Sequence, residues 1–89
     1  MLNIYYTRRF QKDYKLLQKR QYHLDKLKSV ISRLTEEQQL DQRFKDHSLK
    51  GIYRGYRECH IEPDWLLIYK IEGRDIFFTR TGTHSDLFQ

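Results

Sequence analysis

The first half of the chain carries two hydrophobic repeats with the spacing of helices. From residue 8 to residue 20, apolar side chains recur every three or four positions with Lys and Arg between them, at Phe10, Tyr14 and Leu17. A second repeat of this kind runs through Leu24, Leu27, Ile31 and Leu34, with Val30 beside it. Such spacing gives each segment one apolar face, so the pair predicts an antiparallel helical hairpin. Thr7 precedes the first segment and is a residue type that caps helix N-termini.

Apart from one polar loop, the remaining segments have the residue types or the shorter period of β-strands. Leu2–Tyr6 is a short β-prone run before the helices, and Glu36–Asp46 is a polar loop without a clear period. From Leu49 onward the character is β. Tyr56–Glu62 alternates between apolar and polar positions, and Trp65–Tyr69 is nearly all apolar, as in a central strand that is covered on both faces.

Turn-forming residues mark the ends of these strands. Pro63 and Asp64 separate the first two, and Glu72–Asp75 predicts a hairpin turn before the returning strand Ile76–Arg80. We expect Thr83–Gln89 to be a short tail. The order β-α-α-β-β-β predicts one α+β domain over residues 1–89, in which an N-terminal strand and a helical hairpin pack on a small antiparallel sheet.

The composition favours a polyanionic partner. Lys and Arg number 17 against 12 Asp and Glu, which gives a formal net charge of +5 on 89 residues. This excess is suited to RNA, DNA or an acidic protein, although a merely soluble basic surface has the same composition. Cys59 is the only cysteine, so neither an intrachain disulfide nor the Cys/His spacing of a zinc site is present. With no signal-peptide pattern and no membrane-spanning apolar run, we expect a cytoplasmic protein. A chain of 89 residues is too short for a cofactor domain beside a substrate domain, and we expect no cofactor.

Side chains that can transfer protons are concentrated in the second half, at His47, His60, Glu62, Asp64, Arg80 and His84. Metal-free cleavage of RNA needs a base for the ribose 2′-OH, an acid for the departing 5′-oxygen and a cation for the phosphorane. Histidine suits the first two because its pKa of ~6.5 lies near cellular pH. Arginine suits the third because its planar fork grips two phosphate oxygens. The set is therefore sufficient for that reaction.

Other interpretations of these residues stay open on pattern alone. A single histidine is more often a surface or hydrogen-bonded residue than a catalyst, and Asp64 after Pro63 is also a common turn charge. Arg80 could be half of a surface ion pair, and Trp65 is more typical of a core anchor than of a stacking platform. Histidines with carboxylates also ligate metals, but this spacing matches no known metal signature.

Three segments of the second half resemble the YafQ toxins of the RelE/ParE superfamily. They are KDHSLKG at 45–51, GYRECHIEPDWLLIYK at 55–70 and RTGTHSDLF at 80–88. The first half is similar more loosely, through a short strand and a Lys-rich helical hairpin, so that the resemblance covers essentially the whole chain. The string His-Ile-Glu-Pro-Asp-Trp followed by Arg-Thr-Gly-Thr-His is too long and too ordered to arise by chance.

The resemblance implies an endoribonuclease that cleaves mRNA in the ribosomal A site and needs neither a metal nor a cofactor. Its implied partners are mRNA, the ribosome, a DinJ-like antitoxin of the ribbon-helix-helix type, and operator DNA through the toxin–antitoxin complex alone. The positions that match the family's functional residues are His47, His60, Asp64, Trp65, Arg80, His84 and Phe88. The departures from the family lie mostly in the helices and in the loop 36–43. They leave the choice of antitoxin and the codon preference open, but they do not affect the reaction class.

We expect His84 to be the general acid, and Asp64 or His60 to activate the 2′-OH, a choice that the sequence leaves open. Arg80 would stabilise the phosphorane, and His47 would contact phosphate or position the base. Trp65 and Phe88 would brace the site or stack on a base. A basic helical face is a plausible contact to ribosomal RNA, or else a solvated surface, and comprises Arg8, Arg9, Lys12, Lys15 and Lys19.

Two other functions share this fold. ParE-like relatives bind DNA gyrase and do not cleave RNA, and a non-catalytic RNA-binding or regulatory module is also conceivable. Neither function needs the combination of histidines, aspartate and arginine. The ribonuclease interpretation is therefore favoured over both.

Overall fold

The computed structural model describes residues 1–88. Its elements, in chain order, are β1 (Asn3–Tyr6), α1 (Arg8–Lys19), α2 (Leu24–Thr35), β2 (His47–Ser48), β3 (Arg57–Glu62), β4 (Trp65–Glu72), β5 (Asp75–Gly82) and α3 (His84–Phe88). Short 3-10 turns at Gln42–Phe44 and Gly51–Tyr53 flank β2. The α+β class and the helical hairpin predicted from the repeats are confirmed. Thr7 caps α1 as expected, since its hydroxyl accepts the backbone N–H of Phe10 at 3.0 Å.

The five strands form one mixed sheet in the order β1-β5-β4-β3-β2. The prediction of an antiparallel sheet holds for β2 to β5, but β1 pairs parallel to β5, with Asn3 opposite Asp75 and Tyr6 opposite Phe78. A parallel neighbour requires a long crossover, which the helical hairpin and the rest of the sheet supply here. The segment after Leu49 differs too, because Gly51–Tyr53 is a 3-10 turn and not part of a strand.

The predicted tail is a helix. In α3, the hydroxyl of Thr83 accepts the backbone N–H of Asp86 at 3.1 Å, and the carboxylate of Asp86 accepts the backbone N–H of Thr83 at 2.9 Å. This reciprocal capping satisfies two backbone donors that a helix N-terminus otherwise leaves free. Leu87 is buried and attaches the helix to the sheet.

Each face of the sheet has its own hydrophobic cluster. The face under α1 and α2 buries Cys59, Trp65, Tyr69 and Phe78 against both helices. The opposite face buries the smaller cluster of Leu66, Ile68 and Leu87, which borders the 3-10 turn at 51–53. Because β4 contributes to both clusters, its apolar run agrees with a strand that is covered on two sides. Within residues 1–88, no helix has the length and apolar character that crossing a membrane requires.

Candidate active site

The polar part of the second sheet face is built around the carboxylate of Glu58. Glu58 lies in β3 opposite His47 of β2, and its side chain is only 8% exposed. Its Oε1 lies 3.5 Å from Nε2 of His47 and 3.5 Å from Nε2 of His60. Strand alternation places Glu58 and His60 on the same face. One buried carboxylate therefore holds two imidazoles, whose ring centres are 6.3 Å apart.

The second nitrogen of each of these imidazoles faces a backbone carbonyl. Nδ1 of His47 lies 2.6 Å from the carbonyl oxygen of Lys45, and Nδ1 of His60 lies 3.4 Å from that of Pro63. Carbonyl and carboxylate oxygens only accept hydrogen bonds, whereas a neutral imidazole donates from one nitrogen. Each ring therefore has one acceptor facing each nitrogen, the carboxylate at Nε2 and a carbonyl at Nδ1.

His84 joins this group from the C-terminal segment. As the first residue of α3, it donates its backbone N–H to Oδ1 of Asp64 at 2.9 Å, and its Nδ1 lies 2.5 Å from the same oxygen. These bonds from His84 lower the pKa of Asp64. The carboxylate requires the proton on Nδ1, which leaves Nε2 of His84 for another partner. The ring of His84 lies 5.9 Å from that of His60, so the structure brings together His47, His60, Asp64 and His84.

Arg80 shares this sheet face, but its guanidinium is engaged by α1. Arg80 lies opposite Ile68, which lies opposite Glu58, and residues opposite one another in a sheet share a face. Its Nε and Nη2 donate to Asp13 at 2.7 and 3.2 Å, and the bond to Asp13 raises the pKa of Arg80. Arg80 is thus a largely buried side chain, 12% exposed, that lies two strands from Glu58 on the same sheet face and binds Asp13 through two guanidinium N–H groups.

Trp65 lies on the other face of β4. Its side chain is 1% exposed, its ring packs edge-on against Tyr22 at 5.0 Å, and its indole N–H donates to the hydroxyl of Thr81 at 3.0 Å. The expectation that Trp65 stacks on a base is therefore wrong for this structure, because the two helices cover that face of the sheet. The other expectation, that Trp65 braces the site, stays open because its hydrogen bond holds Thr81, the residue next to Arg80 in β5.

Phe88 is the aromatic side chain that the site does expose. It is 47% exposed and meets Tyr53 edge-on at a centroid distance of 5.8 Å. Tyr53 in turn packs edge-on against Tyr56 at 5.9 Å, and its phenol lies near the guanidinium of Arg80, whose pKa it helps to raise after the larger effect of Asp13. An aromatic shelf consisting of Tyr53, Tyr56 and Phe88 thus borders the guanidinium.

The basic side chains predicted to contact RNA lie away from this cluster. All five are exposed on α1, at Arg8, Arg9, Lys12, Lys15 and Lys19. Four of them form one stripe along the helix, opposite the buried residues Phe10 and Leu17, while Arg9 lies to one side. Within residues 1–88 none of the five makes an ion pair. Their predicted role as an RNA contact stays a prediction.

Sequence reasoning missed three residues of this site: Glu58, Asp13 and Tyr53. Glu58 carried a usable signal, because the alternation of β3 already placed it on the side of His60. Asp13 carried none, since no local pattern connects a residue of α1 with a strand 67 positions later. Glu62, a sequence candidate, forms an ion pair with Lys26 at 2.6 Å on the helix side. Within residues 1–88, no three His, Cys, Asp or Glu side chains converge as metal ligands do.

Comparison with known proteins places this arrangement in a family. A family model described as the bacterial toxin of type II toxin–antitoxin systems, YafQ, matches residues 2–89. The chain belongs to the YafQ toxin family. A YafQ relative from Escherichia coli K12, named mRNA interferase toxin YafQ, is 45% identical over 87 residues, which cover 97% of this chain and 95% of that protein.

Solved YafQ structures share the fold throughout. The crystal structure of YafQ from E. coli strain BL21(DE3) has a TM-score of 0.95 and 42% identity, with full coverage of both chains. A chain of the crystal structure of the E. coli DinJ–YafQ complex has a TM-score of 0.92 and 43% identity, again with full coverage. The resemblance to the YafQ toxins, inferred mainly from motifs of the second half, is thereby confirmed over the whole chain.

Proposed function

We propose that this chain is the toxin of a type II toxin–antitoxin system and acts as an endoribonuclease on messenger RNA. The observation that carries the proposal is the convergence of three imidazoles and two carboxylates on one sheet face that also holds Arg80. Acid–base groups and a phosphate-binding cation are what metal-free RNA cleavage requires. The E. coli relative, named an mRNA interferase toxin, supports messenger RNA as the substrate.

His84 is the general acid in this proposal. Asp64 holds the proton on Nδ1, which fixes the ring and leaves Nε2 to donate to the departing 5′-oxygen when the ring is protonated. The side chain of His84 is 54% exposed, so an RNA strand has direct access to it. Asp64 is therefore assigned to orienting the acid.

We assign the removal of the 2′-OH proton to His60 together with Glu58. Asp64 is the weaker candidate for the base, because the bonds from His84 lower its pKa and occupy Oδ1. His60 is partly exposed, and the buried carboxylate of Glu58 lies 3.5 Å from its Nε2, ready to share the proton. We therefore assign the base to His60 and Glu58 together and not to either residue alone.

The reaction then balances with the side chains present. The 2′-oxygen attacks phosphorus, its proton passes to the His60–Glu58 pair, the bond to the 5′-oxygen breaks, and His84 protonates that oxygen. Arg80 stabilises the charge of the phosphorane, His47 contacts the phosphate, and Phe88 stacks on a base. The products are a 2′,3′-cyclic phosphate and a 5′-hydroxyl end.

The partners of this reaction follow from the same proposal. Crystal structures of DinJ–YafQ complexes support an antitoxin of the DinJ type. We propose that the mRNA is cleaved on the ribosome, with the basic stripe of α1 against ribosomal RNA, and that operator DNA is bound through the toxin–antitoxin complex alone. The place of action is the cytoplasm.

Induced expression in bacteria tests the proposal. Wild type is compared with His84→Ala, and His23→Ala serves as the matched control because His23 is an exposed histidine in the α1–α2 turn, outside the site. We expect wild type and His23→Ala to stop growth and to create new mRNA ends in primer extension, while His84→Ala does neither. The new downstream fragments should accept phosphate from polynucleotide kinase directly, as 5′-hydroxyl ends do.

Two results would contradict the proposal. Fragments with 5′-phosphate ends would exclude attack by the 2′-OH. Growth arrest with intact mRNA and accumulating DNA breaks would support the gyrase-binding function of ParE-like relatives instead.

A further inference from the structure

The ion pair of Arg80 and Asp13 joins α1 to β5, on the sheet face that also carries Glu58. The carboxylate takes two N–H groups of the same guanidinium, Nε at 2.7 Å and Nη2 at 3.2 Å. Each side chain is 12% exposed, so water competes little with these bonds. A two-point pair of this kind fixes the plane of a guanidinium as well as its position.

Asp13 is itself fixed to the backbone of β5. Beyond Phe78, where the pairing with β1 ends, this edge of β5 has no neighbouring strand among residues 1–88, and α1 runs past it. Oδ2 of Asp13 accepts the backbone N–H of Thr81 at 3.1 Å, in the place where a strand carbonyl would otherwise accept it. The hydroxyl of Thr81 accepts the indole N–H of Trp65 and donates to the carbonyl of Leu66 at 2.8 Å. The carboxylate is thus held by packed elements on several sides.

The pair leaves part of the guanidinium for another ligand. Asp13 binds the edge formed by Nε and Nη2, whereas Nη1 and the second Nη2 hydrogen point along the other edge. The hydroxyl of Tyr53 lies at the guanidinium, next to the aromatic shelf. We propose that Asp13 is a positioning residue for RNA cleavage, which holds Arg80 by one edge so that its other edge receives the scissile phosphate. This inference rests on the function proposed above.

Because Asp13 is negatively charged, its orienting role in catalysis can be distinguished from a role in attracting RNA. A carboxylate beside the guanidinium repels an RNA phosphate, so its presence weakens the binding of RNA in the ground state. Its benefit therefore lies in orientation, which counts when charge develops on the phosphorane. Removing it should leave the apparent affinity for RNA unchanged or higher while the rate of the bound complex falls. Replacing a residue that serves only the stability of the fold is not expected to lower the rate of the bound complex while leaving the RNA affinity unchanged or higher.

The test is a double-mutant cycle on cleavage of labelled mRNA by the purified toxin on programmed ribosomes. The variants are Asp13→Asn, Arg80→Ala and the two combined, with Asp25→Asn as the control because Asp25 is an exposed acid in the first turn of α2. We expect Arg80→Ala to lower kcat ~10²–10³-fold and Asp13→Asn to lower it ~10–10²-fold with KM unchanged or lower. In the Arg80→Ala background, Asp13→Asn should cost nothing further.

Two further measurements keep the result independent of folding. Asp13→Glu retains the charge and should recover part of the rate, since the carboxylate can still bond Arg80 from a shifted position. In ¹⁵N spectra, the Nε–H signal of Arg80 should be slow to exchange in wild type and fast in Asp13→Asn. An equal loss of kcat from Asp13→Asn with and without Arg80 would overturn the positioning role, as would a gain of kcat. If wild type and Arg80→Ala both leave the mRNA intact, the proposed ribonuclease function itself fails.

Discussion

The helix that carries His84 is held to α1 by an ion pair whose strength can be measured through pH. Arg20, directly after α1, donates to both oxygens of Asp86 in α3 at 2.8 and 3.3 Å. The bond from Arg20, together with those from Thr83, lowers the pKa of Asp86 to about 2. A pKa this far below that of an unfolded Asp, ~3.9, corresponds to about 2–3 kcal/mol of stability at neutral pH. Because Arg20 is 39% exposed, we assign about 1 kcal/mol of this to the ion pair.

The sign of the pH dependence follows from the lowered pKa. A carboxylate with a depressed pKa in the folded state contributes its full stability above the pKa of the unfolded chain, and that stability is lost as the pH falls towards the folded value. We therefore expect Arg20→Gln to be less stable than wild type by about 1 kcal/mol at pH 7. The difference should stay constant down to about pH 4, shrink as the pH falls towards 2, and vanish below that, where Asp86 is protonated in both proteins.

Urea unfolding at a series of pH values measures this difference directly. Arg33→Gln is the matched control, because Arg33 is exposed on α2 and makes no ion pair within residues 1–88. Other carboxylates with lowered pKa values, such as Asp64, act equally in wild type and variant and cancel in the comparison. A gap between wild type and Arg20→Gln that is unchanged at pH 2, or absent at pH 7, would refute the assignment of this stability to the pair.

Three further substitutions probe the packing and charge of the site. Trp65→Phe removes the buried bond to Thr81, so we expect a loss of about 1–2 kcal/mol in urea unfolding. Gly82→Ala places a Cβ 2.9 Å from Oδ2 of Asp86, so the Asp86 side chain that caps α3 must move, and we expect cleavage to fall ~10-fold or more while the circular dichroism spectrum is retained. Glu58→Gln replaces the carboxylate between two imidazoles with a neutral amide, and we expect kcat to fall ~10²-fold. An unchanged kcat would exclude Glu58 from the proton transfer.

The features that the sequence predicted correctly are those set by neighbouring residues. The helical repeats, the cap at Thr7 and the alternation in β3 depend on side chains a few positions apart. The α3 helix had a local signal as well, since Thr83 and Asp86 have the spacing of a capping box. Its short length, and the expectation of a tail, hid that signal.

The features that it could not predict depend on how distant segments meet. The parallel pairing of β1 with β5 joins residues 72 positions apart, as Asn3 and Asp75 show, and nothing in β1 specifies that neighbour. The residue type of Trp65 favoured a core anchor, but which face of β4 the helices cover was not specified, and a shift of one residue would reverse it. The partner of Arg80 depends on the path of α1 along an open strand edge, which is a property of the assembled fold.

The groups of the candidate site fall into a buried set and an exposed set, which differ in how strongly water screens their electrostatic interactions. Glu58 and the Arg80–Asp13 pair are nearly inaccessible, so their electrostatic interactions are strong and their geometry is set before RNA arrives. The His84–Asp64 pair is more than half exposed, so it gains a low-dielectric environment only when a substrate covers it. Substitutions in the buried set should therefore slow the cleavage of every RNA by a similar factor. Substitutions in the exposed pair should have effects that differ between free RNA and mRNA on the ribosome, because the two substrates exclude water from the pair to different extents.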